Sequence, residues 1–362
     1  MRAEPAAALL GRADLTPDVV AAWRDLVARA AEPNPCLEPD FALPAMAHLR
    51  GDDARLLVVR RGAELDALLP VRYTPRWRPR VPVPALVSWT HPYQLLGTPL
   101  VDRDRAGDTW TTLLRTPWRL RGAAALLDVH GAGDDGPVSA ALDEALAATG
   151  GRAVRWDGHE RAALVRGAEA MTEAPSGSRY KRVRRSRRAL ERAAGPVTVV
   201  DRAGDPAAVE RFLAFEAAGW KGRAGTAVLS DPASAAFFRE VCARFAGAGR
   251  LEVRSLEVPA GPVAVQVALR AGDAVFHMKV AYDEQYGDHS PGVQLLVDYA
   301  DRFAEEGLAL RDSCTAAGNV TESQVWPGRR RVSDVVVPFA GPVSRAAVSG
   351  LGRLRARRRP PA

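Results

Sequence analysis

Of the 50 lysine and arginine residues in the chain, only Lys181, Lys221 and Lys279 are lysine. A composition that uses arginine wherever either cation serves keeps lysine where a compact ammonium or a removable proton matters. Lys279 sits in Ala274-Val275-Phe276-His277-Met278-Lys279-Val280. This run reads as a strand with Val275, His277 and Lys279 on one face and Phe276, Met278 and Val280 on the other. Asp312 lies in the next strand-like run, Ala309 to Ser313, with Cys314 two residues on along the same face. An imidazole oriented by a carboxylate moves protons near neutral pH. Between the two runs, Ser290-Pro291-Gly292 opens a helical pattern. Ser290 is suited to cap it, Pro291 is preorganised for its first turn, and Gly292 lets a ligand reach the free backbone amides, which makes a small anion site at the positive end of the helix dipole. An ordinary core helix has the same opening, and Val293, Leu296, Val297, Ala300 and Phe303 form the stripe that would bury it.

The elements that position these residues follow from length and patterning. A chain of 362 residues is too long for one ordinary core and is expected to form two domains. With 47% hydrophobic and 26% charged residues it has the composition of a globular protein. The N-terminal residues lack the apolar stretch of a signal peptide, and no apolar run approaches the roughly 18 to 20 residues of a membrane span. The expectation is a cytoplasmic protein. Cys36, Cys242 and Cys314 are far apart with no C-x-x-C spacing, so free thiols and no metal are expected. The net charge of +7 is concentrated in segment 176–195 and in the tail around Arg353 to Arg359, leaving the rest of the chain acidic. A field over the whole surface that would attract polyanions is not implied.

In the first half, helices are expected at 16–31 and 39–50, a hairpin at 54–60 and 65–73, an irregular proline- and aromatic-rich loop at 75–99, a helix near Thr111, a strand at 123–129, a helix at 138–148 and a short strand at 153–156. A linker, 173–178, leads to an arginine-rich helix over 179–194 with Ser178 as its cap. There follow a strand at 197–200, helices at 206–217 and 232–246, strands at 251–258, 263–271 and 274–280, a helix at 291–306 closed by Gly307, and a strand at 309–313. This is an α+β order.

Four segments carry a family resemblance: Tyr180-Lys181-Arg182-Val183-Arg184-Arg185-Ser186-Arg187-Arg188, Glu216-Ala217-Ala218-Gly219-Trp220-Lys221-Gly222, Ala281-Tyr282-Asp283-Glu284-Gln285-Tyr286 and Ser290-Pro291-Gly292-Val293-Gln294. In this order they resemble the FemAB-like and CelD-like branch of the GNAT superfamily of acyltransferases, over residues 176–338. The first half is similar only in length and element order. The resemblance implies two tandem GNAT-like domains, each a mixed, mostly antiparallel sheet flanked by helices: a degenerate domain over 1–172, the catalytic domain over 173–345, and a basic tail over 346–362. It implies a bacterial enzyme in which two central strands splay apart around a pantetheine thioester, coenzyme A or a carrier-protein phosphopantetheine, while the following helix receives phosphate. Ser290, Pro291, Gly292, Val293 and Gln294 would then bind the donor, with Arg182 and Arg185.

The sequence departs from the family's glycine-rich phosphate loop, because Gln285-Tyr286-Gly287-Asp288-His289-Ser290 stands there with Asp283 and Glu284 beside it. Carboxylates disfavour a pyrophosphate, which leaves room for an acyl carrier protein, whose arm brings one phosphate and whose acidity suits the arginine helix. Aminoacyl-tRNA is the alternative donor, a solvated helix face is the plain reading of the charge run, and a non-catalytic binding module is the third functional class. For chemistry, the expectation is His277 as base, oriented by Asp312, with Tyr282 or Tyr286 as acid. Glu216, Trp220, Lys221, Lys279 and Tyr286 would line the side of a small-molecule or peptide amine acceptor. Cys314 is the alternative nucleophile, although a buried thiol is the commoner fate. Trp89 to Tyr93 either line a groove or pack their own loop, and Gln324-Val325-Trp326 matches the family's K-x-x-W only in part, lacking the lysine.

Overall fold

The structure is a computed structural model that describes residues 3–78, 81–116, 124–167, 178–319, 321–339, 341, 344–350 and 352. Residues 173–177 of the expected linker, the side chain of Ser178 expected to cap α5, and the arginine tail lie outside what is described. The chain divides into two compact units: residues 1–46, 50–159 and 331–362 form the first, and residues 47–49 and 160–330 the second.

The first unit contains β1 (Ala6–Leu10), α1 (Pro17–Arg29), α2 (Pro39–His48, all but its last two residues), β2 (Arg55–Arg61), β3 (Glu64–Thr74), β4 (Ala85–Ser88), β5 (Leu100–Val101), α3 (Ala106–Arg115), β6 (Leu126–Gly133), α4 (Pro137–Ala148) and the first half of β7 (Val154–Val165). Helix α1 begins where expected. The Thr16 side chain accepts the Val19 amide at 3.4 Å, Pro17 occupies the first turn, and Trp23 and Leu26 are buried. The 75–99 stretch is less irregular than its prolines suggest, since β4 lies inside it and pairs in parallel with β6 over 85–87 and 126–128. Trp89, Tyr93, Leu95 and Leu96 are buried, so the aromatics pack their own loop.

The second unit contains the rest of β7, α5 (Ser178–Ala194), β8 (Thr198–Asp201), α6 (Ala208–Ala218), α7 (Trp220–Arg223), α8 (Pro232–Gly247), β9 (Leu251–Val258), β10 (Gly261–Ala271), β11 (Ala274–Tyr282), α9 (Pro291–Arg302), β12 (Leu310–Asp312) and the start of β13 (Gly328–Pro338), whose remainder belongs to the first unit. Its strands are ordered β7-β12-β11-β10-β9-β8. All pairs are antiparallel except β11 with β12. Tyr180, Val183 and Leu190 of α5 join Leu295, Leu296 and Tyr299 of α9 in the core on one face of these strands. Phe212 of α6 and Phe238 of α8 stack on each other, 5.7 Å between centroids.

Candidate functional site: a forked strand pair and the helix that follows

Strands β11 and β12 are paired only over Ala274–Phe276 and Leu310–Asp312, yet β11 continues to Tyr282. Beyond the shared residues β12 turns away. The Ser313 amide bonds the Ala162 carbonyl and Cys314 adopts φ +52°, a left-handed conformation that a residue with a side chain adopts at a cost and that ends strand geometry. The Asp312 carboxylate accepts the Cys314 amide at 2.9 Å and fixes this turn. The result is a fork, one limb of which is residues 277–282.

That limb carries an irregularity that reverses the expected facing. Val267 of β10 pairs with Lys279 and Ala268 with His277, so Met278 is an extra residue, a β-bulge. Past a bulge the alternation of side chains inverts. His277 therefore points toward α9, its ring 4.9 Å from Tyr299 and 5.1 Å from Trp326. Lys279 points the other way, with its Nζ 3.7 Å from Glu216 on α6. The expectation that His277 and Lys279 share a face is corrected by the bulge.

The expected His277–Asp312 couple does not form either. Arg311 pairs with Val275 and Asp312 with Phe276, and paired residues share a face, so Arg311 lies on the side of His277 and Asp312 on the opposite one. His277 is buried with its Nε2 3.4 Å from Arg311 Nη1. Burial, together with the Arg311 and Arg254 charges, holds its pKa well below the ordinary value, so it is a neutral ring filling the core. Arg311 is itself fully buried, paired with Glu252 at 2.9 Å and Glu306 at 2.7 Å and stacked 4.3 Å from the Tyr299 ring centroid. Asp312 bonds Arg161 at 2.6 Å and Arg330 at 3.1 Å. Burial would raise its pKa, but the two guanidinium groups overcome that and hold it below the ordinary value. Sequence reasoning missed Arg161 and Arg330, which reach Asp312 from 151 and 18 residues away. No local pattern signals such partners.

The residues from the Trp-Lys motif do gather. Glu216 is buried at the end of α6; its Oε2 accepts the Val228 amide at 2.8 Å and its Oε1 is 3.0 Å from Lys221 Nζ. Lys221 Nζ also donates to the Val280 carbonyl at 2.6 Å, which ties α7 to the fork limb. Gly222 completes the motif because a Cβ there would lie 1.7 Å from the Ala217 carbonyl. Trp220 and Tyr282 are exposed, and Gly219 joins them, with the Tyr282 carbonyl 3.9 Å from where its Cβ would stand. Burial, opposed by Glu216 and aided by the Lys221 charge, lowers the pKa of Lys279.

At the head of α9, Ser290 takes a left-handed conformation (φ +50°) and its side chain makes no capping bond, contrary to the cap expected of it. The turn is instead held through the His289 carbonyl, which accepts Ser186 Oγ of α5 at 2.8 Å and Gln294 Nε2 at 3.0 Å. Gln294 is buried and braces the loop from beneath. Tyr286 and Val293 are partly buried against the same core, and Pro291 is buried. A Cβ added to Gly292 would meet nothing within 4 Å, so the first turn of the helix opens on free space. Two of the neighbouring acids are engaged: Asp283 accepts the Gln285 amide at 2.9 Å, and Glu284 pairs with Arg223. Arg182 and Arg185 are exposed on α5, one turn before Ser186 and beside it.

Residues 177–319 match the model of the acetyltransferase (GNAT) domain family. Among solved structures, the chain is similar to FemX (12% identity, covering 91% of this chain and 98% of that one, TM-score 0.55). It is also similar to the C-terminal domain of a protein described as a lysylphosphatidylglycerol synthetase from Agrobacterium fabrum (14%, 94% and 96%, 0.53). A third is a conserved protein of unknown function from Bacteroides thetaiotaomicron VPI-5482 (12%, 88% and 97%, 0.54). At these identities the likeness is one of fold, and it spans both units. No curated protein matches the sequence. Among the described residues, no helix is long and apolar enough to cross a membrane.

Proposed function

From the premise that residues 177–319 form an acetyltransferase (GNAT) domain, we propose that the chain is a cytoplasmic N-acyltransferase that moves an acyl group from a pantetheine thioester to an amine. The observation that carries this reading is the fork, whose limb, residues 277–282, is paired with β10 on one side but has no strand on its β12 side among the described residues, next to a helix whose first turn faces open space at Gly292. A pantetheine arm is narrow and has amides that can bond a strand edge. Its phosphate suits the free amides and positive dipole at the head of α9, and Arg182 and Arg185 supply countercharge. The engagement of Asp283 and Glu284 by an amide and by Arg223 lessens the repulsion that their charges would exert on that phosphate.

The acceptor belongs on the α6 side of the limb, where Glu216, Trp220, Lys221, Lys279 and the exposed Tyr282 gather. Transfer needs a neutral amine to attack the thioester carbonyl, donors for the developing oxyanion and a proton for the departing thiolate. Tyr282 is the proposed acid. Buried and neutral on the α9 side, His277 serves to anchor the root of the fork rather than to take a proton. The first unit is read as a degenerate partner domain, and the donor as coenzyme A or an acyl carrier protein, either of which brings a phosphate on its pantetheine arm to the head of α9. The exposed arginines of α5 favour a second reading, an aminoacyl-tRNA donor. Isothermal calorimetry decides between the two donors. Saturable binding of coenzyme A that is lost on Gly292→Val supports the thioester; retention of tRNA at moderate salt with no coenzyme A binding supports the second.

A further inference from the structure

On the side of the sheet that α6 covers, a cavity of about 290 Å³, partly open to solvent, lies between the first two turns of that helix and strands β9 and β10. Phe212 and Phe215 of α6 and Val253 and Val265 of the strands line it. It exists because small residues meet there: Ala208 stands on the helix one turn before Phe212, and Ser255 stands on β9 opposite Val265 of β10. Large voids are rare in a close-packed interior, and this one is roughly twice the apolar cavity of about 150 Å³ that accommodates benzene. The polar groups around it are unevenly satisfied. Both carboxylate oxygens of Glu257 are taken by Arg202, at 2.9 and 2.6 Å, and Asp205 is paired with Arg211. The charges of the rim are therefore matched. Ser255 differs: it is 2% exposed, and no hydrogen-bond partner is described for its Oγ. Arg202, and to a lesser degree Ser255, holds the Glu257 carboxyl below its ordinary value, so the hydroxyl stands near that carboxylate but outside the geometry of a full bond. A buried hydroxyl left unpaired costs free energy, and a ligand that pairs with it recovers that cost.

We propose that this cavity is a small-molecule site separate from the fork, for an uncharged amphiphile: an apolar ring or branched chain seated between Phe212, Phe215, Val253 and Val265, with one amide, ester or hydroxyl head bonded to Ser255 Oγ. The cavity stands over β9 and β10, whereas the fork opens between β11 and β12. The matched rim disfavours a free charge on the ligand. A carboxylate at Ser255 would lie against Glu257, and an ammonium would meet Arg202 and Arg211 unless it displaced one of them from its acid. An uncharged head faces neither penalty. The site does not depend on what the fork binds.

Fluorine NMR of para-fluorophenylacetamide, titrated with the full chain, tests this. The probe has an apolar ring, one amide head and no charge. Saturable binding is expected, with a dissociation constant of about 1 mM or tighter, the range open to so small a molecule. Ser255→Ala, which removes only the hydroxyl, should weaken binding about fivefold, the usual worth of one hydrogen bond. Ala208→Leu, which fills the cavity, should abolish it while leaving the melting temperature unchanged or higher; if that variant does not fold, Ser255→Ala decides alone. The carboxylate of the same shape, para-fluorophenylacetate, should bind about tenfold more weakly or not at all. Absence of saturable binding by the parent, binding that either folded variant leaves unchanged, or equal binding of carboxylate and amide overturns the proposal. Gly292→Val, which obstructs the head of α9, should not alter probe binding. Failure of the cavity site therefore leaves the acyltransferase reading standing, and loss of that reading leaves the cavity site.

Discussion

The two units each contain a forked parallel pair, and the forks end differently. In the first, β4 and β6 share Ala85–Val87 and Leu126–Asp128; in the second, β11 and β12 share Ala274–Phe276 and Leu310–Asp312. Each second limb ends its pairing on an aspartate and soon reaches a left-handed residue, Gly131 (φ +64°) or Cys314 (φ +52°). Past the first fork the chain fills its own opening. The Gly97 amide bonds the Gly131 carbonyl at 2.9 Å, the Gly133 amide bonds Thr98 Oγ1 at 2.8 Å, and the His130 amide bonds Ser88 Oγ at 2.9 Å. Past the second fork no described strand takes that place. One device, splaying a parallel pair, thus yields a sealed structural joint when a loop is long enough to fold back into it, and a candidate slot when the chain moves straight on to a helix.

The sharpest way to break this comparison is to place a side chain in each opening. A Cβ on Gly97 would sit 1.8 Å from the His130 carbonyl, whereas one on Gly292 meets nothing within 4 Å. Gly97→Val is expected to cost at least about 3 kcal/mol, because backbone cannot yield as a flexible side chain can. Gly292→Val should leave the melting temperature nearly unchanged while weakening coenzyme A binding by about tenfold or more, since close backbone approach to a phosphate needs the missing side chain. Thermal denaturation and calorimetry on the two variants measure both effects. Comparable destabilisation by the two would remove the distinction between a sealed and an open fork.

The aspartates at the two forks sharpen it further. Asp312 is buried between Arg161 and Arg330, and its pKa lies below the ordinary value. Asp128 is buried with Trp77 Nε1 at 2.5 Å, His130 Nε2 at 3.7 Å and an Oδ1 for which no partner is described; burial raises its pKa, and His130 and Trp77 only partly offset this. Asp312→Asn is expected to cost about 3–5 kcal/mol by leaving two guanidinium groups without their counterion, and Asp128→Asn less than about 1.5 kcal/mol. Their pH windows have opposite signs. The stability that Asp312 contributes is present above its unfolded pKa, about 3.9, and is lost as pH falls through its lower folded pKa. Asp128 instead detracts from stability as pH rises from about 3.9 through its raised folded pKa, and Asp128→Asn should remove that loss. Denaturant melts between about pH 3 and pH 7 of the two variants and the parent separate the contributions.

How much of this could be read beforehand depends on whether the cause was local. The capped start of α1 and the helix after Ser290-Pro291-Gly292 depend on neighbours within a few residues, and the sequence pattern revealed them. Strand β4 was hidden because prolines surround it, although it pairs with the nearby β3 as well as with the distant β6. The facing of His277 and Lys279 was misjudged for a different reason: strict alternation is the only rule a bare strand sequence offers, and a single extra residue, Met278, inverts it with no change in composition. The proposed couple of His277 with Asp312 failed with it, since the parallel register puts those side chains on opposite faces. That Glu216, Lys221 and Lys279 meet was legible only as two separate motifs, and their sharing of one carboxylate oxygen is a fact of tertiary structure.

The smallest expected effect concerns charge. Helix α5, with Lys181, Arg182, Arg184, Arg185, Arg188 and Arg192 exposed, contacts the loop before α9 through Ser186, whereas α4 of the first unit carries no arginine or lysine. If the basic face serves the open fork, the quadruple change of Arg182, Arg184, Arg185 and Arg188 to Gln should lower coenzyme A affinity by about tenfold or less. It should also flatten the dependence of that affinity on salt between about 50 and 300 mM, because exposed cations attract an anionic donor through a field that ions screen. The melting temperature should hardly move. These four side chains are exposed, Arg184 lies near Asp301, and exposed pairs contribute little to folding. The core side chains Tyr180, Val183 and Leu190, which seat the helix, are untouched. Unchanged affinity with an unchanged salt slope, in a variant that melts as the parent does, would make α5 a solvated face that happens to lie beside the fork, and would leave the proposed phosphate contact to the head of α9.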